Sequence, residues 1–129
     1  MVEFAVDGTS PAWAYWVTPA VLAADAGRAW LELGRPGLAE RHLLRGLFLF
    51  GEEQPRNRLL HTLSLAEARL RQRDLDSAAE ATRQALDLRS YLDSGRAKQR
   101  MTSLRDEFER SDSPLARDVV AQINATLVA

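Results

Sequence analysis

His42 and His61 are the only imidazoles in this 129-residue chain, which has no cysteine. Metal or acid–base chemistry would have to begin with them. They form no His-x3-His pair and have no Asp or Glu at metal-ligand spacing. Each is therefore expected on its own helix, making inter-helix or surface hydrogen bonds. Ser64 and Ser94 have neither a strained turn nor an adjacent base, so no hydrolase triad forms around them. Gly34-Arg35-Pro36-Gly37 is a corner between helices; a phosphate loop needs a strand before it and Gly-Lys-Ser/Thr within it. Arg96, Lys98, Arg100 and Arg105 form a local basic stripe suited to a phosphate or an acidic peptide. Asp106, Glu107 and Glu109 offset that charge, which suits a solvated helix. Trp13, Tyr15, Trp16 and Trp30 are the densest aromatic group. They can either pack the N-terminal end or make a stacking wall for a ligand. No set of acid, base and nucleophile converges, so no enzymatic activity is expected, and no cofactor or metal.

The composition agrees. Formal charge is −1, which leaves no broad electrostatic footprint for nucleic acid or an anionic membrane. No apolar run approaches the ~18 residues that would suggest a membrane span. Met1-Val2-Glu3-Phe4 lacks the basic start of a signal peptide. A cytoplasmic protein is expected, folded as one domain over residues 1–129.

Helix starts are marked by Ser10-Pro11, Thr18-Pro19 and Ser113-Pro114. The hydroxyl caps an orphan N–H, and proline at the first helical position has none to satisfy. Asp74 and Ser94 are the caps expected for two further helices. The pattern predicts helices at 11–17, 19–33, 37–50, 56–72, 75–92, 95–110 and 114–128. Short connections between them force antiparallel neighbours. No segment alternates like a strand.

The helices are related by a repeat. Ala26 to Gly34 followed by Ala39, Leu43, Gly46 and Leu49 is matched 39 positions later by Leu65 to Arg73, Ala78, Thr82, Ala85 and Leu88. Small residues align with small ones, as in Gly27/Ala66, Ala39/Ala78 and Gly46/Ala85. Such a period implies stacked helix pairs with repeats at about 19–50, 56–92 and 95–128, the last degenerate like a cap. The apolar stripe of the first repeat helix is read as Leu22, Ala26, Ala29 and Leu33. That of the second is read as Leu59, Leu63, Ala66 and Leu70. Met101, Leu104 and Phe108 are expected to face Val119, Val120, Ile123 and Leu127. Phe48 and Phe50, near a helix end, are read as core or dimer contact, with core preferred.

The pattern of Gly27, Trp30, Gly34, Ala39 and Gly46, with Ala66, Ala78 and Ala85 after it, resembles the tetratricopeptide repeat. Arg69 stands in place of that repeat's aromatic and Arg73 in place of its glycine. Trp13-Ala14-Tyr15-Trp16, Ala-Gly-Arg-Ala, Leu-Gly-Arg-Pro and Leu92-Asp93-Ser94-Gly95-Arg96 extend the likeness over nearly the whole chain. They resemble the C-terminal repeat domain of actinobacterial helix-turn-helix transcription regulators; the Ala- and Arg-rich composition fits a GC-rich genome. The resemblance implies an all-α right-handed solenoid of about three helix pairs plus an N-terminal helix. It implies a sensing and interaction module that binds a peptide or protein partner in a concave groove. With no DNA-binding segment before Trp13, the chain is expected to be a fragment of such a regulator or a free-standing protein. The alternative is a scaffold or adaptor beside a biosynthetic enzyme.

In tetratricopeptide proteins the first helix of each pair lines the groove. Carried onto this chain, the partner-binding residues are Asp25, Arg28, Glu32, Leu63, Ser64, Glu67, Leu70, Arg71, Met101 and Arg105. Arg28, Arg71 and Arg105 would be the polar anchors. Arg28–Glu32 and Glu67–Arg71 are also i, i+4 ion pairs. A homodimer is expected through Ile123, Leu127 and Val128 or through Trp13–Trp16, and no direct nucleic-acid binding.

Overall fold

The computed structural model describes residues 18–129. The expected helix 11–17 and Trp13, Tyr15 and Trp16 lie outside them. The described residues form α1 (Pro19–Glu32), α2 (Pro36–Leu49), α3 (Pro55–Arg71), α4 (Leu75–Leu86), α5 (Gly95–Glu109) and α6 (Pro114–Val128). There is no strand among them, and no helix is long and apolar enough to cross a membrane.

The expected caps are in place. Thr18 Oγ1 accepts from Val21 N at 3.1 Å, Asp74 Oδ1 from Ser77 N at 3.3 Å, Ser94 Oγ from Ala97 N at 3.1 Å, and Ser113 Oγ from Ala116 N at 3.1 Å. Pro36 and Pro55 begin α2 and α3 rather than closing the loops before them, because proline supplies a helical φ without an N–H to satisfy.

The expected helix 75–92 ends at Leu86, and a 3₁₀ turn occupies Arg89–Tyr91. Leaving the α-helix lets Leu88, Tyr91 and Leu92 turn back onto the core. Arg89 Nη1 donates to Leu86 O at 2.9 Å and satisfies a terminal carbonyl. Arg56 at the start of α3 pairs with Asp93 at 2.7 Å, just beyond this turn.

Helix α3 is the centre. It packs against α1, α2, α4, α5 and the 3₁₀ turn, while α6 packs on α4 and α5. All residues from His61 to Ala68 are buried. The pairs α1/α2, α3/α4 and α5/α6 each pack together. Leu31, Leu43, Leu59, Leu63, Met101, Leu104, Phe108, Val119 and Ile123 fill the core between them.

Two expectations about packing need correction. The buried face of α1 is Ala20, Ala23, Ala24, Gly27 and Leu31. Leu33 is 71% exposed, and Leu22 and Ala29 are also exposed. The close approach of α2 selects the small residues of α1, and its larger leucines turn away. A Cβ on Gly27 would sit 2.5 Å from Leu43 Cγ, and one on Gly46 would sit 3.2 Å from Ala24 N. Small side chains thus set the spacing between these axes. The second correction is Phe48, which is 87% exposed on α2 while Phe50 is buried. In the expected C-terminal patch only Val128 is exposed; Ile123 is in the core and Leu127 packs against it.

The corners inside the first two helix pairs share one hydrogen-bond pattern. At the end of α1, Gly34 N donates to Leu31 O and Arg35 N to Trp30 O, at 3.1 and 2.9 Å. At the end of α3, Arg73 N donates to Leu70 O and Asp74 N to Arg69 O, at 2.9 and 3.0 Å. Both are helix ends closed by a left-handed residue. Gly34 has φ 77° and Arg73 has φ 62°. A side chain there is strained by about 1–2 kcal/mol. Arg73→Gly is expected to raise stability by about 1 kcal/mol in urea unfolding, after the greater freedom of glycine in the unfolded chain is subtracted. An unchanged or lower midpoint would mean that the arginine makes up for the strain.

Ala39 and Ala78 are fully buried at the interfaces their alignment implied. Ala39→Leu or Ala78→Leu is expected to cost about 1–3 kcal/mol by overpacking, measured by thermal or urea unfolding.

Candidate functional site

The face shared by α1, α3 and α5 carries the densest charge network, and α3 supplies its buried members. Glu67 has an 8% exposed side chain. Arg28 Nη1 of α1 donates to its Oε1 at 3.1 Å, and Arg71 Nη2 pairs with its Oε2 at 2.6 Å. Arg71 also reaches Glu107 of α5 at 3.5 Å and donates to Leu31 O of α1 at 3.0 Å. Arg28 further pairs with Glu32 at 3.6 Å. Both expected i, i+4 pairs therefore form, and Glu67 and Arg71 extend them into a lattice across three helices.

One turn earlier on α3 the balance changes. Arg100 of α5 donates to Ser64 Oγ at 3.1 Å and to Leu60 O at 3.5 Å, both neutral acceptors. Among the described residues no carboxylate lies within ion-pair distance of Arg100 or Arg96. Burial first, then the Arg28 and Arg96 charges, pulls the Arg100 guanidinium down to about 10; Glu67 and Glu32 oppose this. His61 lies in the same region. Its ring stacks on Phe50 at 5.2 Å, 4° from parallel. Its Nδ1 is buried without a hydrogen-bond partner. Burial first, then the Arg100 and Arg96 charges, push it down to about 4, so the imidazole is neutral near pH 7.

Three adjoining cavities of about 340, 260 and 310 Å³ run along this face and share Arg28. The first lies between α1 and α5, with α3 beneath. Val21, Phe50, Leu60 and His61 form its apolar side, and Asp25, Arg28, Glu32, Arg96 and Arg100 its polar side. The third continues past Arg71 to Glu107 and Arg110. Polar groups converging beside an apolar wall are the usual make-up of a ligand site.

The expected groove residues fall into three groups. Asp25, Arg28, Glu32, Glu67 and Arg71 line the cavities. Leu63 and Met101 do not; they are buried in the core, Leu63 on the enclosed α3 and Met101 on the face of α5 that packs on α3 and α6, which removes them as partner contacts. Ser64 is buried as well and acts through Arg100, and Leu70 packs against the core. Arg105 is a further correction. It lines none of these cavities; it donates to Asn124 of α6 at 3.1 Å and to Asp106, which borders the third. Trp30 packs against the core and lines none of these cavities. Arg71 is a structural bridge as much as a surface group. Asn57, His61, Arg96, Arg100 and Glu107 line the face outside the expected set. The basic stripe held the signal for Arg96 and Arg100, which stand one turn apart on the open side of α5.

No group of residues that could hold a metal occurs among the described residues. The chain matches no known protein family, no curated protein and no solved structure.

Proposed function

We propose that this protein is a non-enzymatic interaction module whose helix pairs stack in the tetratricopeptide manner. In this reading it binds a peptide or a protein segment along the α1–α3–α5 face. It would serve as the sensing domain of, or a relative of, a bacterial transcriptional regulator. The observation that carries the proposal is the run of three adjoining cavities across one helix of each pair, lined by charge and apolar surface together. Such mixed lining suits an extended segment, which needs anchoring points along its length. The stacking reading is supported by the corners that share hydrogen bonds at the 39-residue offset, and by Arg28 meeting Glu67 at that same offset.

The proposal is tested with an array of random twelve-residue peptides probed by the labelled chain. Binding peptides are expected, and Arg28→Ala should weaken them by at least about tenfold, the equivalent of one lost charge-assisted hydrogen bond. Because Arg28 also holds Glu67, unfolding of each variant is measured alongside. Peptides that bind Arg28→Ala as well as the unaltered chain would move the site to another face, and an array without binders would defeat the reading.

A further inference from the structure

We propose that the cavity between α1 and α5 is a subsite for one acidic side chain, aspartate or glutamate, of a bound peptide, held by Arg96 and Arg100 with the neighbouring peptide residue against Val21 and Leu60. This rests on the peptide reading of the α1–α3–α5 face and names the chemistry of one place on it.

Arg28 is already matched by Glu67 and Glu32. Arg96 and Arg100 have no carboxylate at ion-pair distance among the described residues, although Arg100 is half-buried and Arg96 stands one turn before it on the same open side of α5. The two guanidinium groups repel each other, and Glu67 and Glu32 offset the charge on Arg100 without pairing with it. A carboxylate between the two arginines would relieve the repulsion through charge-assisted, fork-like hydrogen bonds. A second observation points the same way: His61 lines this cavity with a buried, unpartnered Nδ1 and only 9% exposure. Part of its suppressed basicity comes from Arg100 and Arg96, which places it within electrostatic reach of the group that would bind.

The lining also sets the valence of the ligand. Asp25 and Glu32 stand on the α1 side and Glu67 lies beyond Arg28. They disfavour a dianionic phosphate or a polyanionic backbone, while leaving room for a single negative charge on the α5 side. Val21 and Leu60, half-buried in the lining, provide apolar surface for the next side chain. The cavity, about 340 Å³, is at the small end of ligand sites, which suits one or two residues of a longer segment.

The test is a nuclear magnetic resonance titration that follows the His61 ring proton on Cε1. The probes are acetyl-Leu-Glu-amide, acetyl-Leu-Gln-amide and inorganic phosphate. The glutamate probe is expected to shift the His61 signal saturably at pH 7, at least about tenfold more tightly than the glutamine probe. At saturation the His61 titration midpoint should rise by about one unit, because the bound anion offsets the two arginines. Asp25, Arg28 and Glu32 of α1 and Arg96 and Arg100 of α5 line the cavity with this ring, and all five are present in the three probe titrations. Arg96→Ala, an exposed change, should abolish the shift without moving the melting temperature; Arg100→Gln should do the same if it folds. Equal binding of both dipeptides, tighter binding of phosphate, or indifference to Arg96→Ala would each overturn the proposal. Array peptides that bind the face without an acidic residue and without need of Arg96 would overturn it while leaving the peptide reading intact. A glutamate-specific response with no binding array peptide would uphold the subsite and defeat the wider reading.

Discussion

Replacing Glu67 with leucine is expected to cost about 3 kcal/mol, the lower end of the range for breaking a buried ion pair. The carboxylate is nearly enclosed and serves two guanidinium groups, Arg28 at 3.1 Å and Arg71 at 2.6 Å. Its removal leaves Arg28, Arg71 and Arg100 on one face with less to offset them. The cost is placed at the low end because Arg28 and Arg71 are partly exposed and can regain water. For a chain of this size the melting temperature should fall by roughly 10 °C. Urea unfolding of Glu67→Leu, Arg28→Met and the double variant separates the pair from the packing. The double variant should be at least about 1 kcal/mol more stable than the sum of the two losses, since it no longer carries an unmatched charge. A loss under about 1 kcal/mol for Glu67→Leu would show that the arginines rehydrate freely, and that the lattice orients α1, α3 and α5 without holding them.

This lattice also marks where the sequence could be read and where it could not. Local signals survived intact. Thr18, Asp74, Ser94 and Ser113 cap the helices they announced, because a cap depends only on the residue and the three that follow. The alignment of Gly34 with Arg73 predicted equivalent corners, and both adopt a left-handed φ. What failed needed knowledge of neighbouring helices. Leu22 and Leu33 suggested a buried stripe by their size. The tight α1–α2 contact around Gly27 and Gly46 instead demanded alanine and glycine, and sent the leucines to solvent.

The candidate site shows the same division. Arg28, Glu32, Glu67 and Arg71 were legible as i, i+4 pairs on exposed-looking faces, and the structure joins them. Leu63 and Met101 were misplaced because helical periodicity gives a face but not its depth, and α3 is covered on almost every side. Arg69 illustrates a replacement that sequence alone could not explain. Standing where the resemblance calls for an aromatic, it pairs with Glu40 of α2 at 3.0 Å and donates to Ser77 O of α4 at 3.4 Å. A charged fork there ties α3 to both neighbours, in place of a packed ring. The sequence marks His61 for inter-helix or surface hydrogen bonding. It lies between helices, but stacks on Phe50 with Nδ1 unpaired.

That unpaired histidine makes stability depend on pH in a defined window. In the unfolded chain His61 titrates near its ordinary value of 6.5, and in the folded protein it is pushed down to about 4. Above pH 6.5 both states hold it neutral and it contributes no pH dependence. As pH falls through 6.5 the unfolded chain takes up a proton that the folded protein refuses, so stability drops. The drop continues until the folded protein also binds the proton, near pH 4, and amounts to as much as about 3 kcal/mol from this residue alone. Carboxylates titrate at the lower end of the same range, so one pH profile cannot isolate the imidazole. His61→Phe can. Phenylalanine keeps the stack on Phe50 and removes the unsatisfied nitrogen, so it is expected to be close to neutral at pH 7.5. Between pH 6.5 and 4 the variant should lose less stability than the unaltered chain, and the difference between the two urea profiles should open across that interval and then level off. Parallel profiles would mean that water or a shift of Arg96 and Arg100 admits the proton to the folded protein. The arginines would then not be poised close enough to His61 to sense what binds between them.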